Sequence, residues 1–147
     1  MPLQERTATV LWKGDLKGNG TVNVGSGAFR EFPVTFSART ENPNGHTSPE
    51  ELIAAAQAIC YAMAFSNTLA TAGNPPESLT VTATCALDRR PEGGLKITTM
   101  DLNVRGRVPG LDQAKFQELA KKGEQGCPVA NALRGNVEIR LKAELER

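Results

Sequence analysis

Three cysteines, one arginine and one glutamate carry most of the chemistry this 147-residue sequence could perform. Cys60 stands in the middle of TSPEELIAAAQAICYAMAFSNTLAT, Cys127 in GCPV and Cys85 in LTVTATCALD. Two thiols brought together support redox chemistry in which one sulfur is oxidised and the other closes a disulfide. Each thiol also has a plainer reading. A cysteine inside an apolar helix, as Cys60 is, is most often a small core residue. Cys85 alternates with Leu79, Val81, Ala83 and Leu87, so it is expected to point into the core. Cys127 precedes Pro128 at an expected helix start, where the dipole and free N–H groups stabilise a thiolate. On electrostatics alone Cys127 is therefore the more readily ionised of the pair. A buried thiol resists ionisation, because desolvation raises its pKa. Arg39, read as the end of an apolar strand, and Glu50, in the first helical turn, are candidate helpers. Arginine stays charged, and a carboxylate can grip it in a two-pronged pair. Spacing is equally compatible with both being solvated surface charges.

The element that must position Cys60 is a long helix from about Thr47 to Thr71. Ser48 is a suitable N-cap, Pro49 suits the first helical position, and Glu51 completes a capping box. Gly73, Pro75 and Pro76 stop the helix. It is apolar on nearly all sides, so it needs covering from more than one direction. Before it, strands are expected at Thr7–Lys13, Thr21–Val24 and Phe29–Arg39, the last with Pro33 at an edge or bulge. After it, Leu79–Asp88 and Leu95–Val108 form a hairpin with the charged tip RRPEGG. Leu111–Gln125 reads as a helix weakened by Gly123 in its last turn, Cys127–Leu133 as a short helical turn, and Asn136–Leu145 as a closing strand. The order is βββ-α-ββ-α-α-β, an α+β layout with mainly antiparallel pairing in a single domain over 1–147.

Composition excludes several classes. Net charge is +1 with the signs interspersed, which gives no electrostatic case for nucleic acid. The N-terminus has no apolar core of signal-peptide type. The run Leu52–Phe65 is broken by Gln57 and is too short to span a bilayer. A cytoplasmic protein with no membrane partner is expected. The cysteine count is odd, there is no CxxC, and the single histidine, His46, lies in a loop without a ligand-spaced partner. No metal or cofactor is expected.

The run TSPEELIAAAQAICYAMAFSNTLATAG, the downstream GCPVANALRGNVEI and the arginine of FSART resemble the OsmC/Ohr family of osmotically inducible and organic hydroperoxide resistance proteins. WKGDLKGNG and VPGLDQAKF extend the resemblance over essentially the whole chain, and FSART favours the OsmC branch. The resemblance implies an intertwined homodimer, with antiparallel sheets wrapped around two long central helices. It implies reduction of organic hydroperoxides, and more weakly of hydrogen peroxide, by a cysteine pair reset by a lipoyl-type dithiol. Cys60 would be the attacking and Cys127 the resolving cysteine, with Arg39 and Glu50 matching the family's arginine and glutamate. The resemblance thus reverses the electrostatic order of the two thiols, which Arg39 beside Cys60 would explain. Where this chain has Gln57 and Ile59, many relatives carry a histidine and a small residue, and an effect on pocket shape is expected. Met63 and Phe65 are candidates for an apolar pocket wall or for plain core packing.

Helix arithmetic adds a further expectation. Glu50 and Cys60 are ten residues apart on one helix, roughly 15 Å along its axis. If both act on one peroxide, the site is built from two chains with antiparallel helices. The rival reading is a non-enzymatic stress or small-molecule-binding protein on the same scaffold, with unreactive cysteines.

Overall fold

The computed structural model describes residues 1–146, which form two compact units, Met1–Leu52 and a second from Ile53 onward. The fold is mixed α+β, with two three-stranded sheets and four helices.

In the first unit, β1 (Ala8–Lys13), β2 (Asn19–Val24) and β3 (Phe32–Val34) form an antiparallel sheet in that order. Pro33 lies on the edge strand β3, opposite Thr21, where its missing N–H is tolerated. The strand expected to run on to Arg39 stops at Val34. A short helix α1 (Phe36–Thr40) replaces its second half. Thr35 is the cause: its extended backbone and side-chain oxygen, which accepts from the Ala38 N–H at 3.2 Å, make it an N-cap. Arg39 therefore sits in the last turn of a helix and not at a strand end.

Helix α2 (Pro49–Thr71) is the long central helix. Ser48 caps it, accepting from the Glu51 N–H at 3.1 Å. The expected capping box closes differently, because the Glu51 carboxylate takes the Thr47 hydroxyl at 3.0 Å. By length and composition the whole helix could cross a bilayer. Its packing argues for a core element: Gln57, Tyr61, Phe65 and Leu69, spaced four apart, are all fully buried.

In the second unit, β4 (Ser78–Arg89) and β5 (Leu95–Arg107) form the expected antiparallel hairpin, with a bulge at Ala86/Leu87. Its tip, Arg90 to Gly94, is exposed. The last strand, β6 (Glu138–Leu145), pairs with β5 in parallel, so this sheet is mixed. The chain passes through α3 (Gln113–Gln125) and α4 (Pro128–Leu133) before β6, and such a crossover returns a strand in the same direction. Met100, Leu102 and Val104 of the central strand β5, with Phe116, Leu119 and Ala120 of α3, pack with the buried face of α2. Gly123 has a role beyond weakening the end of α3. A Cβ there would lie 3.0 Å from the Phe65 Cα, so glycine permits close approach of α3 and α2. Cys85 is half-buried against this core, as its strand alternation implied.

Candidate functional site

The five residues singled out for chemistry resolve into two pairs and an outlier. In the first unit the Arg39 Nε donates to both carboxylate oxygens of Glu50, at 2.6 and 3.1 Å. α1 presents the guanidinium, and the first turn of α2 presents the carboxylate. Glu50 is only 7% exposed, which overturns the reading of it as a solvated charge. A carboxylate this buried needs a charged partner, and it has one. Nε makes both of these hydrogen bonds, so the contact is one N–H shared between two oxygens and not two parallel N–H bonds.

In the second unit Cys60 of α2 and Cys127, at the N-cap position of α4, are neighbours, close enough for the Cys127 thiol to act on the Cys60 sulfur. Both are reduced thiols; Cys60 is half-buried and Cys127 fully buried. The Cys127 side chain makes no capping bond. Pro128 takes the first turn of α4, where a missing N–H is no loss. Burial pushes the Cys60 pKa up, the neighbouring Cys127 adds to the rise, and the Val129 backbone N–H offsets part of it. Val129 belongs to the first turn of α4. The helix-end N–H that the sequence reading assigned to Cys127 is thus turned toward Cys60, where it offsets part, but not all, of the cost of burial.

Gln57 belongs to this site, and the sequence reading gave it only a part in pocket shape. Its side-chain Nε2 donates to Cys127 Sγ at 3.4 Å. The signal was present: one polar residue interrupts an apolar helix three positions before a cysteine, on the same helical face. Its partner at position 127 was invisible, because only folding brings them together. Beside it Tyr61 donates its hydroxyl to the Ala120 carbonyl at 2.9 Å, and burial pushes its pKa well up. Phe65 is core, in ring contact with Tyr61 and Phe116. Met63, by contrast, is 68% exposed, and Ile59 shares that exposed side of α2.

An OsmC-like protein family model matches residues 42–142. The chain is 40% identical to the peroxiredoxin OsmC of Escherichia coli over 129 residues, covering 87% of this chain and 89% of that one. It is 30% identical to the organic hydroperoxide resistance protein OhrB of Bacillus subtilis, covering 92% and 96%. The crystal structure of an organic hydroperoxide resistance protein OsmC from Legionella pneumophila superposes with a TM-score of 0.79 at 26% identity, over the full length of both chains. With the family model spanning most of the chain and the OsmC relative more similar than the OhrB one, this chain belongs to the OsmC-like family, on its OsmC side.

Proposed function

We propose that the protein is a two-cysteine peroxidase that reduces organic hydroperoxides, and hydrogen peroxide more weakly. The observation that carries this reading is that the Cys60 and Cys127 thiols, far apart in sequence, are neighbours in the fold. Relatives named for peroxiredoxin activity and organic hydroperoxide resistance support it. In the first step the Cys60 thiolate attacks the distal oxygen of ROOH. The O–O bond breaks, the alkoxide leaves and takes a proton as ROH, and Cys60 becomes a sulfenic acid. Arg39, held by Glu50, stabilises the charge developing on the departing oxygen. In the second step the Cys127 thiolate attacks the Cys60 sulfur. Hydroxide leaves and is protonated to water, and a Cys60–Cys127 disulfide remains. A dithiol of lipoyl type then returns the pair to thiols by exchange.

The working form is a homodimer in the cytoplasm, with the two α2 helices antiparallel. Two features support the dimer. Glu50 and Cys60 are separated by about 15 Å of helix rise, too far for both to meet one small substrate from the same helix. Ile59 and Met63, 58% and 68% exposed in the single chain, give α2 an apolar face suited to burial against a second copy.

The test is thiol counting by mass spectrometry after one equivalent of cumene hydroperoxide. Loss of two thiols per chain, with a 60–127 cross-linked peptide, is the expected result. Retention of all thiols would reject the peroxidase in favour of a binding protein.

A further inference from the structure

Within the peroxidase reading, and resting on it, we infer that Gln57 is a positioning residue for the second step: its amide N–H holds the Cys127 sulfur beside Cys60 and stabilises it as the attacking thiolate. Three observations carry the inference. The Gln57 Nε2 donates to Cys127 Sγ at 3.4 Å, within a normal range for a sulfur acceptor. Gln57 and Cys60 lie three residues apart on α2, so one helical face presents both groups to Cys127. The Gln57 side chain is fully buried, yet its Oε1 has no hydrogen-bond partner in the structure. A residue selected for packing would not carry an unsatisfied buried carbonyl, since leucine would fill the space without it. The amide is directed at the sulfur at the expense of its own oxygen.

The chemistry requires such a donor. A fully buried thiol pays desolvation to ionise, and an N–H directed at sulfur favours the charged form. Cys127 is also the helix-capping residue whose own thiol makes no capping bond, so the Gln57 amide is a contact that can orient it. The titratable and charged groups around this sulfur are Cys60 and Tyr61 on α2, Glu124 at the end of α3 and Arg134 just after α4. The Cys127 N–H donates to the Glu124 carbonyl at 3.2 Å, and the Arg134 guanidinium lies 2.7 Å from the Glu124 carboxylate. The net charge of that carboxylate and guanidinium is small, which leaves the amide as a local donor to the sulfur.

The experiment uses the reduced full-length protein and the variants Gln57→Leu and Gln57→Glu, each given one equivalent of cumene hydroperoxide in single turnover. Quenched samples are resolved by mass spectrometry into Cys60 sulfenic acid, trapped by dimedone, and the Cys60–Cys127 disulfide. Both variants remove the N–H donor, and both are expected to accumulate the trapped sulfenic acid. Disulfide formation should slow by about ten- to a hundredfold, the range of a hydrogen bond to a charged group. The pH at which that step reaches half its maximal rate should move upward. Gln57→Leu should keep or raise the thermal midpoint, which a purely structural role would lower. Wild-type rates and pH profile in the Leu variant would overturn the inference, as would a Glu variant as fast as the wild type at a pH where its carboxyl is ionised and cannot donate. A wild-type protein whose Cys60 is never oxidised would overturn the peroxidase reading itself. Normal wild-type cycling with an indifferent Gln57 would overturn this inference alone.

Discussion

Around Arg39 and Glu50 the chain buries a paired charge; around Cys60 and Cys127 it buries two reduced thiols. The carboxylate is almost fully enclosed and the guanidinium about one-third exposed, a pair that is already ionised and already hydrogen-bonded. Cys60 sits beside the Val129 backbone N–H, with burial opposing its ionisation, and Cys127 sits beside the Gln57 amide. The difference is chemical. A charge that must be present throughout the cycle can be preorganised by pairing. A nucleophile that must also accept a second bond to sulfur has to stay free of strong partners. One region holds a paired cation and carboxylate, the other two reduced thiols.

Removing the Cys60 thiol should have the largest effect. Cys60→Ser is expected to bring peroxide consumption down by on the order of 10³-fold or more, as loss of a catalytic nucleophile does elsewhere. Steady-state turnover with cumene hydroperoxide and dihydrolipoamide measures it, and retained turnover would break the comparison. Cys127→Ser should permit one oxidation of Cys60 per chain and then stop.

The charged region comes next. Arg39→Met leaves Glu50 buried without its partner, and about 1–3 kcal/mol of stability should be lost in chemical denaturation. The rate of the first oxidation should fall by about 10²–10³-fold, the usual effect of losing a transition-state charge donor. Arg39→Lys keeps the charge but not the planar guanidinium, and an intermediate rate would separate charge from geometry. A rate unchanged in both variants would place the cation outside the chemistry.

A smaller effect distinguishes the thiol region by pH. The Cys60 pKa is raised on folding, so the neutral thiol is the form the fold favours. The stability it contributes is complete below the unfolded thiol value of about 8.5 and is lost as pH rises through the higher folded value. The thermal midpoint of reduced protein should therefore decline above that pH, and less so in Cys60→Ser. An identical decline in the two would assign it to other groups. Smallest of all, Tyr61→Phe removes the bond to the Ala120 carbonyl while keeping the ring. It should lower stability by about 1 kcal/mol and leave the Arg39–Glu50 region unaffected, since each region is internally bonded.

Much of this was readable before folding. The long helix, its Ser48 cap and its Gly73 stop are local signals, and local signals act through a few residues of backbone. The β4–β5 hairpin followed from strict alternation. The misreadings share a cause as well. Phe32, Val34 and Phe36 alternate like a strand, but Thr35 offered the backbone a cap and the helix α1 won. The parallel pairing of β6 was concealed because direction in a sheet is settled by the path of the intervening helices, which no local pattern encodes.

By itself the sequence determined the residue types that can hold charge or become oxidised, the helix that carries Cys60, and the family these residues resemble. Only the tertiary structure decided which groups meet. It turned the Val129 N–H of α4 toward Cys60, although proximity along the chain pointed to Cys127, and it directed the Gln57 amide at a sulfur seventy residues away. The physical reason is that hydrogen bonds and desolvation depend on separations of a few ångströms. Those separations are set by how α2, α3 and α4 pack, and packing is a property of the whole core rather than of any one segment.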